Sequence, residues 1–181
     1  MATGLDQIRA IVAMTAPRWQ TMMATVPADL AQRQPQPGEW SAVECLRHLT
    51  DAEQLLWPVR VRSLLAGGTF PAFNPATDGR DYTALSPAQL ADEFARLRAA
   101  NLPLLASITE GDLACRGRHP DLGEVTLGQL LHVWASHDLM HTVQAERALM
   151  QPFLAGTGPW RFYFAAHDVD PAEAHTSVSG E

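Results

Sequence analysis

The chain has 181 residues, with 13 Lys+Arg against 20 Asp+Glu for a formal net charge of −7, a balance that argues against a nucleic-acid partner, which would need a basic face. All 13 basic residues are arginine, which excludes Schiff-base chemistry, pyridoxal phosphate attachment and a P-loop lysine. Cys45 and Cys115 are the two cysteines and do not make a disulfide framework. No uncharged run reaches the roughly 18 residues of a bilayer span, and the N-terminus lacks a signal-peptide pattern, so the expectation is a cytoplasmic protein with no membrane partner.

Strand signals are sparse and helical ones recur. Leu5, Ile8, Val12, Met14, Trp19, Met22, Met23 and Val26 follow three-to-four spacing and predict a first helix, kinked or broken at Pro17. The turn-rich stretch Gln34 to Glu39 precedes Ser41 and Glu44, a capping box that opens a second helix. It carries Leu46, Leu49, Leu55, Leu56 and Val59, bends at Pro58 and ends at Gly67-Gly68. Thr69 to Leu85 predicts a long loop. Ser86-Pro87-Ala88-Gln89 opens a third helix running to about Ile108, with Leu90, Phe94, Leu97, Asn101 and Leu104 on one face. After a connection containing Gly111, Gly117, Pro120 and Gly123, Thr126 and Gln129 cap a fourth helix to about Met150. Trp160, Phe162, Tyr163 and Phe164 supply apolar surface for a short extra helix or turn packed on the bundle. The expected organisation is an all-α four-helix-bundle domain over residues 1–165, followed by a mobile tail over 166–181.

Within the fourth helix, His137 and His141 are four apart, about 40° around the wheel, so both imidazoles project from one face and can share an ion. His132 lies about 140° from His137 and points elsewhere. His48, near the middle of the second helix, can meet that pair from the opposite side, giving three imidazoles with an open fourth position, the catalytic zinc pattern. The plainer alternative is a set of ordinary core or surface histidines. Gln144 also faces the pair and is the candidate catalytic residue, bonding a ligand or bound water, or else a polar residue facing a neighbour. Glu53 and Asp138 are candidate carboxylates for orienting the imidazoles. Cys45 reads as inert filling, or else a soft fourth ligand or a nucleophile, and His119, His167 and His175 as exposed. Arg47, Arg60, Arg62 and Arg80 suit carboxylates of an acid substrate or thiol cofactor, or balance surface charge.

Several of these segments together resemble a known family. They are Trp40-Ser41-Ala42-Val43-Glu44 with His48-Leu49 and Asp51-Ala52-Glu53, His119-Pro120 with Leu122-Gly123, Val125 to Leu131, and His137-Asp138-Leu139-Met140-His141 with Gln144. Over about Leu5 to Met150 the chain resembles the DinB-like (DNA-damage-inducible, YfiT-like) superfamily of proposed metalloenzymes. The resemblance implies an up-down-down-up four-helix bundle, a homodimer, and a divalent metal, zinc or nickel, on His48, His137 and His141. Characterised relatives include mycothiol-dependent maleylpyruvate isomerase and bacillithiol or glutathione S-transferases, and the family name denotes induction by DNA damage, not DNA binding. Three neutral ligands leave the ion's charge uncompensated, so a bound water or thiol would be acidified, water towards a pKa of about 7. The function expected on this basis is a transferase that activates a low-molecular-weight thiol towards a small-molecule substrate. The alternatives are a metal-dependent hydrolase and a non-catalytic metal or ligand-binding module.

Overall fold

The computed structural model describes residues 3–70 and 78–169. Helix α1 spans Gly4–Thr25, opened by a Thr3–Asp6 capping box, and runs unbroken through Pro17. Its buried stripe of Leu5, Ile8, Val12, Thr15, Ala16, Trp19 and Met23 is continuous, and Met14 turns outward. One unmade backbone bond is thus outweighed by burial on either side of it. A short helix α2, Ala28–Ala31, lies in the connection. The Ser41–Glu44 box then opens α3, Ala42–Asp51, followed by a π-helical turn, Ala52–Leu56, and α4, Trp57–Leu65. The expected bend at Pro58 is this wider turn. The proline falls at the start of α4, where its missing N–H and its clash with the preceding turn are tolerated.

Helix α5, Pro87–Ser107, and helix α6, Leu127–Leu154, each open on the expected capping box. Helix α6 continues four residues past Met150, through Pro152. Side-chain contacts give the direction of each bundle helix. Gln20 Nε2 meets Asp92 (2.8 Å) and Arg9 Nη2 donates to the Ile108 carbonyl (2.6 Å), so α1 and α5 are antiparallel. His48 lies against His137 and Trp57 against Trp134, so α3–α4 and α6 are antiparallel. Arg98 of α5 joins Val12 of α1 to Asp138 of α6, and Arg18 pairs with Glu146 (2.5 Å), which makes α1 and α6 parallel. The result is an up-down-down-up four-helix bundle, in which α1 and α3 each pack on both α5 and α6.

Between α5 and α6 the expected irregular connection is instead a 3₁₀ turn, Glu110–Ala114, and a hairpin of β1, Arg116–His119, with β2, Gly123–Thr126, antiparallel in the register Gly117↔Val125. With Arg118 and Gly123 in place of strand formers, no alternation announced it. Its anchor is Gly117, packed on the end of α4: a Cβ there would lie 2.5 Å from the Gly68 carbonyl oxygen and 2.9 Å from Leu64 Cδ2. Gly117→Ala is expected to destabilise the fold by about 1–3 kcal/mol, read as a lowered denaturation midpoint at unchanged m-value. An unchanged midpoint would show that the hairpin does not bear on the bundle.

The segment after α6 forms the expected short turn but does not bury most of its aromatic residues. Gly158–Phe164 is a 3₁₀ turn, but Trp160, Phe162 and Tyr163 are exposed. What fastens it is polar: Arg161 pairs with buried Asp168 (2.7 Å), Arg147 Nε donates to the His167 carbonyl (3.0 Å), and the Val169 N–H donates to Gln151 (3.1 Å). The first residues of the expected tail are therefore tied to α6. Residues 170–181, with His175, and residues 71–77 of the expected long loop lie outside the described residues. No described helix is long and apolar enough to cross a membrane.

Two apolar clusters fill the bundle, one around Val12, Trp57, Leu64 and Leu131, the other around Trp19, Leu46, Leu90 and Phe94. Between them lies a buried polar group of Glu53, Arg98, Asn101 and Asp138.

Candidate metal centre

His48 is presented by the last turn of α3, just before the π-helical turn, and His137 and His141 by consecutive turns of α6. One ring nitrogen from each lies within 4.8 Å of the others. The ring centroids form a near-equilateral triangle, 4.9 Å for His48–His137, 4.6 Å for His48–His141 and 4.5 Å for His137–His141. His48 Nε2 and His137 Nε2 approach to 2.9 Å. Two nitrogens on one tetrahedral zinc sit roughly 3.3 Å apart, a separation these side chains reach with small adjustments. The three histidines could bind a metal.

Electrostatics keep the rings in the ligating state. Burial, reinforced by repulsion from His141, lowers the His48 pKa to about 4. Burial and the neighbouring His141, His48 and Arg98 lower that of His137 to about 3. His141 is lowered by burial too, against the opposing effect of its hydrogen bond to Gln144. All three are neutral at pH 7, with lone pairs to donate. His141 Nδ1 donates to Gln144 Oε1 at 2.9 Å, which fixes the tautomer that leaves Nε2 free. The Nδ1 atoms of His48 and His137 are buried without a partner among the described residues. Their Nε2 atoms meet at the shared centre, and a donor set of three imidazoles fits a divalent ion.

Around the triangle, Trp40 stacks on His141 (5.6 Å, 19° between planes) and leans on His48 (5.2 Å). Trp57 sets its edge against His137 (5.2 Å) and stacks on Trp134 (5.4 Å). A pocket of about 450 Å³ adjoins the centre on the His48 side, with Trp40, Arg47 and Arg80 in its lining.

The candidate carboxylates do something other than orient imidazoles. Glu53 accepts from Arg98 (2.8 Å), Trp134 Nε1 (3.0 Å) and Asn101 (3.0 Å), and Asp138 pairs with Arg98 at 2.7 Å. Asp138 follows His137 in sequence, but the 100° step along the helix turns it from the site into the core. Cys45 is buried in the apolar cluster, its thiol pushed up to about 12 mainly by burial, and is not part of the histidine group. His132 is not part of the histidine group and is exposed, and His167 is exposed as expected, whereas His119 is half-buried, its Nδ1 accepting from the Asp121 N–H (3.1 Å). Of the four arginines proposed for substrate, Arg47 and Arg80 line the pocket. Arg60 lies over Phe70 and Arg62 donates to the Pro58 carbonyl. Sequence reasoning missed Arg98 altogether. Arg98 continues the buried face Leu90, Phe94, Asn101, Leu105 of α5, and an arginine in that register is the signal that would have found it.

A four-helix bundle with three convergent, neutral histidines defines the class of this molecule. The profile of the DinB superfamily matches residues 8–145, and the chain belongs to that superfamily. Among solved structures it is similar to YfiT from Bacillus subtilis, described as a probable metal-dependent hydrolase with an unusual four-helix bundle topology. The TM-score is 0.71 at 14% identity, over 84% of this chain and 90% of that one. No curated protein matches the chain in sequence.

Proposed function

We propose that the protein is a metal-dependent hydrolase of small molecules, with the ion held by His48, His137 and His141. The observation that carries this reading is the convergence of three neutral imidazoles beside an open pocket, with the description of the YfiT structure in support. A divalent ion bound there supplies Lewis acidity and makes water, or a thiol, acidic enough to react near neutral pH. The chain's own residues provide the rest. Gln144 holds His141 in its ligating tautomer and is a positioning residue. Trp40 covers the His48 and His141 rings and keeps bulk water from that side. Trp57 braces His137.

Hydrolysis takes precedence over the thiol transfer expected from the resemblance because water needs no binding surface of its own, whereas a thiol cofactor needs a second one. The test uses tag-free full-length protein, stripped of metal and reloaded separately with zinc and with nickel, and assayed on para-nitrophenyl esters with and without a low-molecular-weight thiol. Expected is ester hydrolysis that appears on reloading, disappears with chelator and does not need thiol. Turnover only with thiol and an electrophile would replace hydrolysis by transfer. Tight stoichiometric metal without any turnover would make the protein a binding module.

A further inference from the structure

We propose that the pocket beside His48 binds a small organic carboxylate, gripped by the guanidinium groups of Arg47 and Arg80. The inference rests on the hydrolase reading for what happens next to that substrate, and adds its class. The pocket, at about 450 Å³, falls in the range of small-ligand sites.

Its two cations are the first observation. In a chain with a net charge of −7, Arg18, Arg96, Arg98, Arg116 and Arg161 all pair with carboxylates. Among the described residues neither the Arg47 nor the Arg80 guanidinium has a hydrogen bond or an ion pair; Arg47 feels Glu44 and Asp81, and Arg80 feels Asp51 and Glu93, only at longer range. Arg47 is half-buried with its Nε lacking a partner, and Arg80 is exposed. Leaving a buried charged donor unmade is costly, and a planar fork of donors matches a carboxylate.

The second observation is that Glu44 and Asp51, which also line the pocket, take their hydrogen bonds from neutral groups of the chain and not from the two guanidinium groups. Glu44 accepts from the Ser41 N–H (2.7 Å) and from Gln34 Nε2 (2.8 Å). Asp51 Oδ1 accepts from the Arg80 N–H and the Tyr82 hydroxyl, both at 3.0 Å. That backbone bond also ties Arg80 to α3 one turn beyond His48, so the loop bringing the second cation is moored at the site. Trp40 adds an apolar wall whose ring touches both His48 and His141. A molecule with its carboxylate on the arginines and its chain along Trp40 has its far end at the imidazoles.

The test is calorimetric titration of the metal-reloaded full chain with glutarate and with neutral glutaramide, repeated on Arg47→Gln/Arg80→Gln and on Arg47→Lys/Arg80→Lys. Turnover is compared in parallel for the para-nitrophenyl monoester of glutaric acid and para-nitrophenyl valerate. Glutarate is expected to bind at least about 10-fold tighter than the diamide, and the glutamine pair to remove that margin, as one charge-assisted bond is worth at least a factor of this size. Metal content and thermal unfolding should be unchanged in that variant, and the lysine pair should restore part of the preference.

Equal affinity for acid and amide would overturn the proposal. So would glutarate binding that survives the glutamine pair but is lost in His48→Ala, which would put the carboxylate on the metal. Arginine-dependent glutarate binding in a protein that hydrolyses neither ester supports the carboxylate pocket and removes the hydrolase reading alone. Metal-dependent hydrolysis with no arginine-dependent preference does the reverse.

Discussion

His137→Ala is expected to leave the bundle folded while weakening divalent metal by more than about 100-fold, since even the loss of a residue that only supports a ligand costs 10–100-fold, and to bring ester turnover to background. The expectation is specific because the two halves of the effect come from different features. The His137 ring is partly buried, its Nδ1 has no partner among the described residues and its pKa is pushed down to about 3 by burial and neighbouring positive charge. Without metal such a group contributes little to stability, and removing it takes away an unsatisfied polar atom. With metal, the same ring would be one of the three protein ligands. Metal-free wild type and variant should therefore unfold at similar temperatures, while zinc raises the midpoint of the wild type alone, by the equivalent of about 2.7 kcal/mol at a free concentration 100 times Kd. Gln144→Leu should fall between them, at 10–100-fold weaker metal binding, because it loosens His141 without removing a ligand. Near-stoichiometric metal in tag-free His137→Ala, measured by elemental analysis, would reject the centre.

The residues that proved legible in the sequence are those governed by helical periodicity and by capping chemistry. The boxes at Ser41, Ser86 and Thr126 all formed as read, because each depends on two side chains three residues apart and on nothing distant. The histidine triangle was legible for a similar reason: four-residue spacing fixes the direction of His137 and His141, and helix order brings His48 opposite. What stayed hidden depends on contacts between segments remote in sequence. The β1–β2 hairpin is held by Gly117 against Gly68, a matter of close approach that no local propensity records. Glu53 and Asp138 sat at plausible spacings to support the imidazoles, but their partner is Arg98 on a third helix. Of the aromatic residues after α6, which composition suggested would pack on the bundle, Trp160, Phe162 and Tyr163 are exposed, and polar contacts of Arg147, Gln151 and Arg161 fasten that segment instead.

Arg98→Met is expected to cost about 3–5 kcal/mol, the range for removing one partner of a buried ion pair. Arg98 is buried, and burial alone would depress its pKa, yet Asp138 and Glu53 beside it hold the guanidinium above its ordinary value. It bonds Asp138 at 2.7 Å, reaches Glu53 at 2.8 Å, donates to the Val12 carbonyl, and lies over the Phe94 ring at 4.9 Å. One side chain thus joins α1, the π-helical turn, α5 and α6 at the level that separates the two apolar clusters. Methionine fills much of the volume but leaves two carboxylates buried without a counter-charge. Asp138, raised to about 6 by burial even beside Arg98, then has a folded-state pKa further above its unfolded one, so the folded state binds the extra proton and the deficit should shrink as pH falls from 7 towards 5. Adding Asp138→Asn and Glu53→Gln to Arg98→Met removes the stranded charges and should recover most of the loss. Denaturant unfolding of the single and triple variants at both pH values reads all three effects. A single variant within about 1 kcal/mol of wild type at pH 7, the median for exposed pairs, would mean that this network contributes no more than a surface salt bridge. Because His137 precedes Asp138 on the same helical turn, the metal affinity of the single variant should fall along with its stability, and the triple variant should restore both.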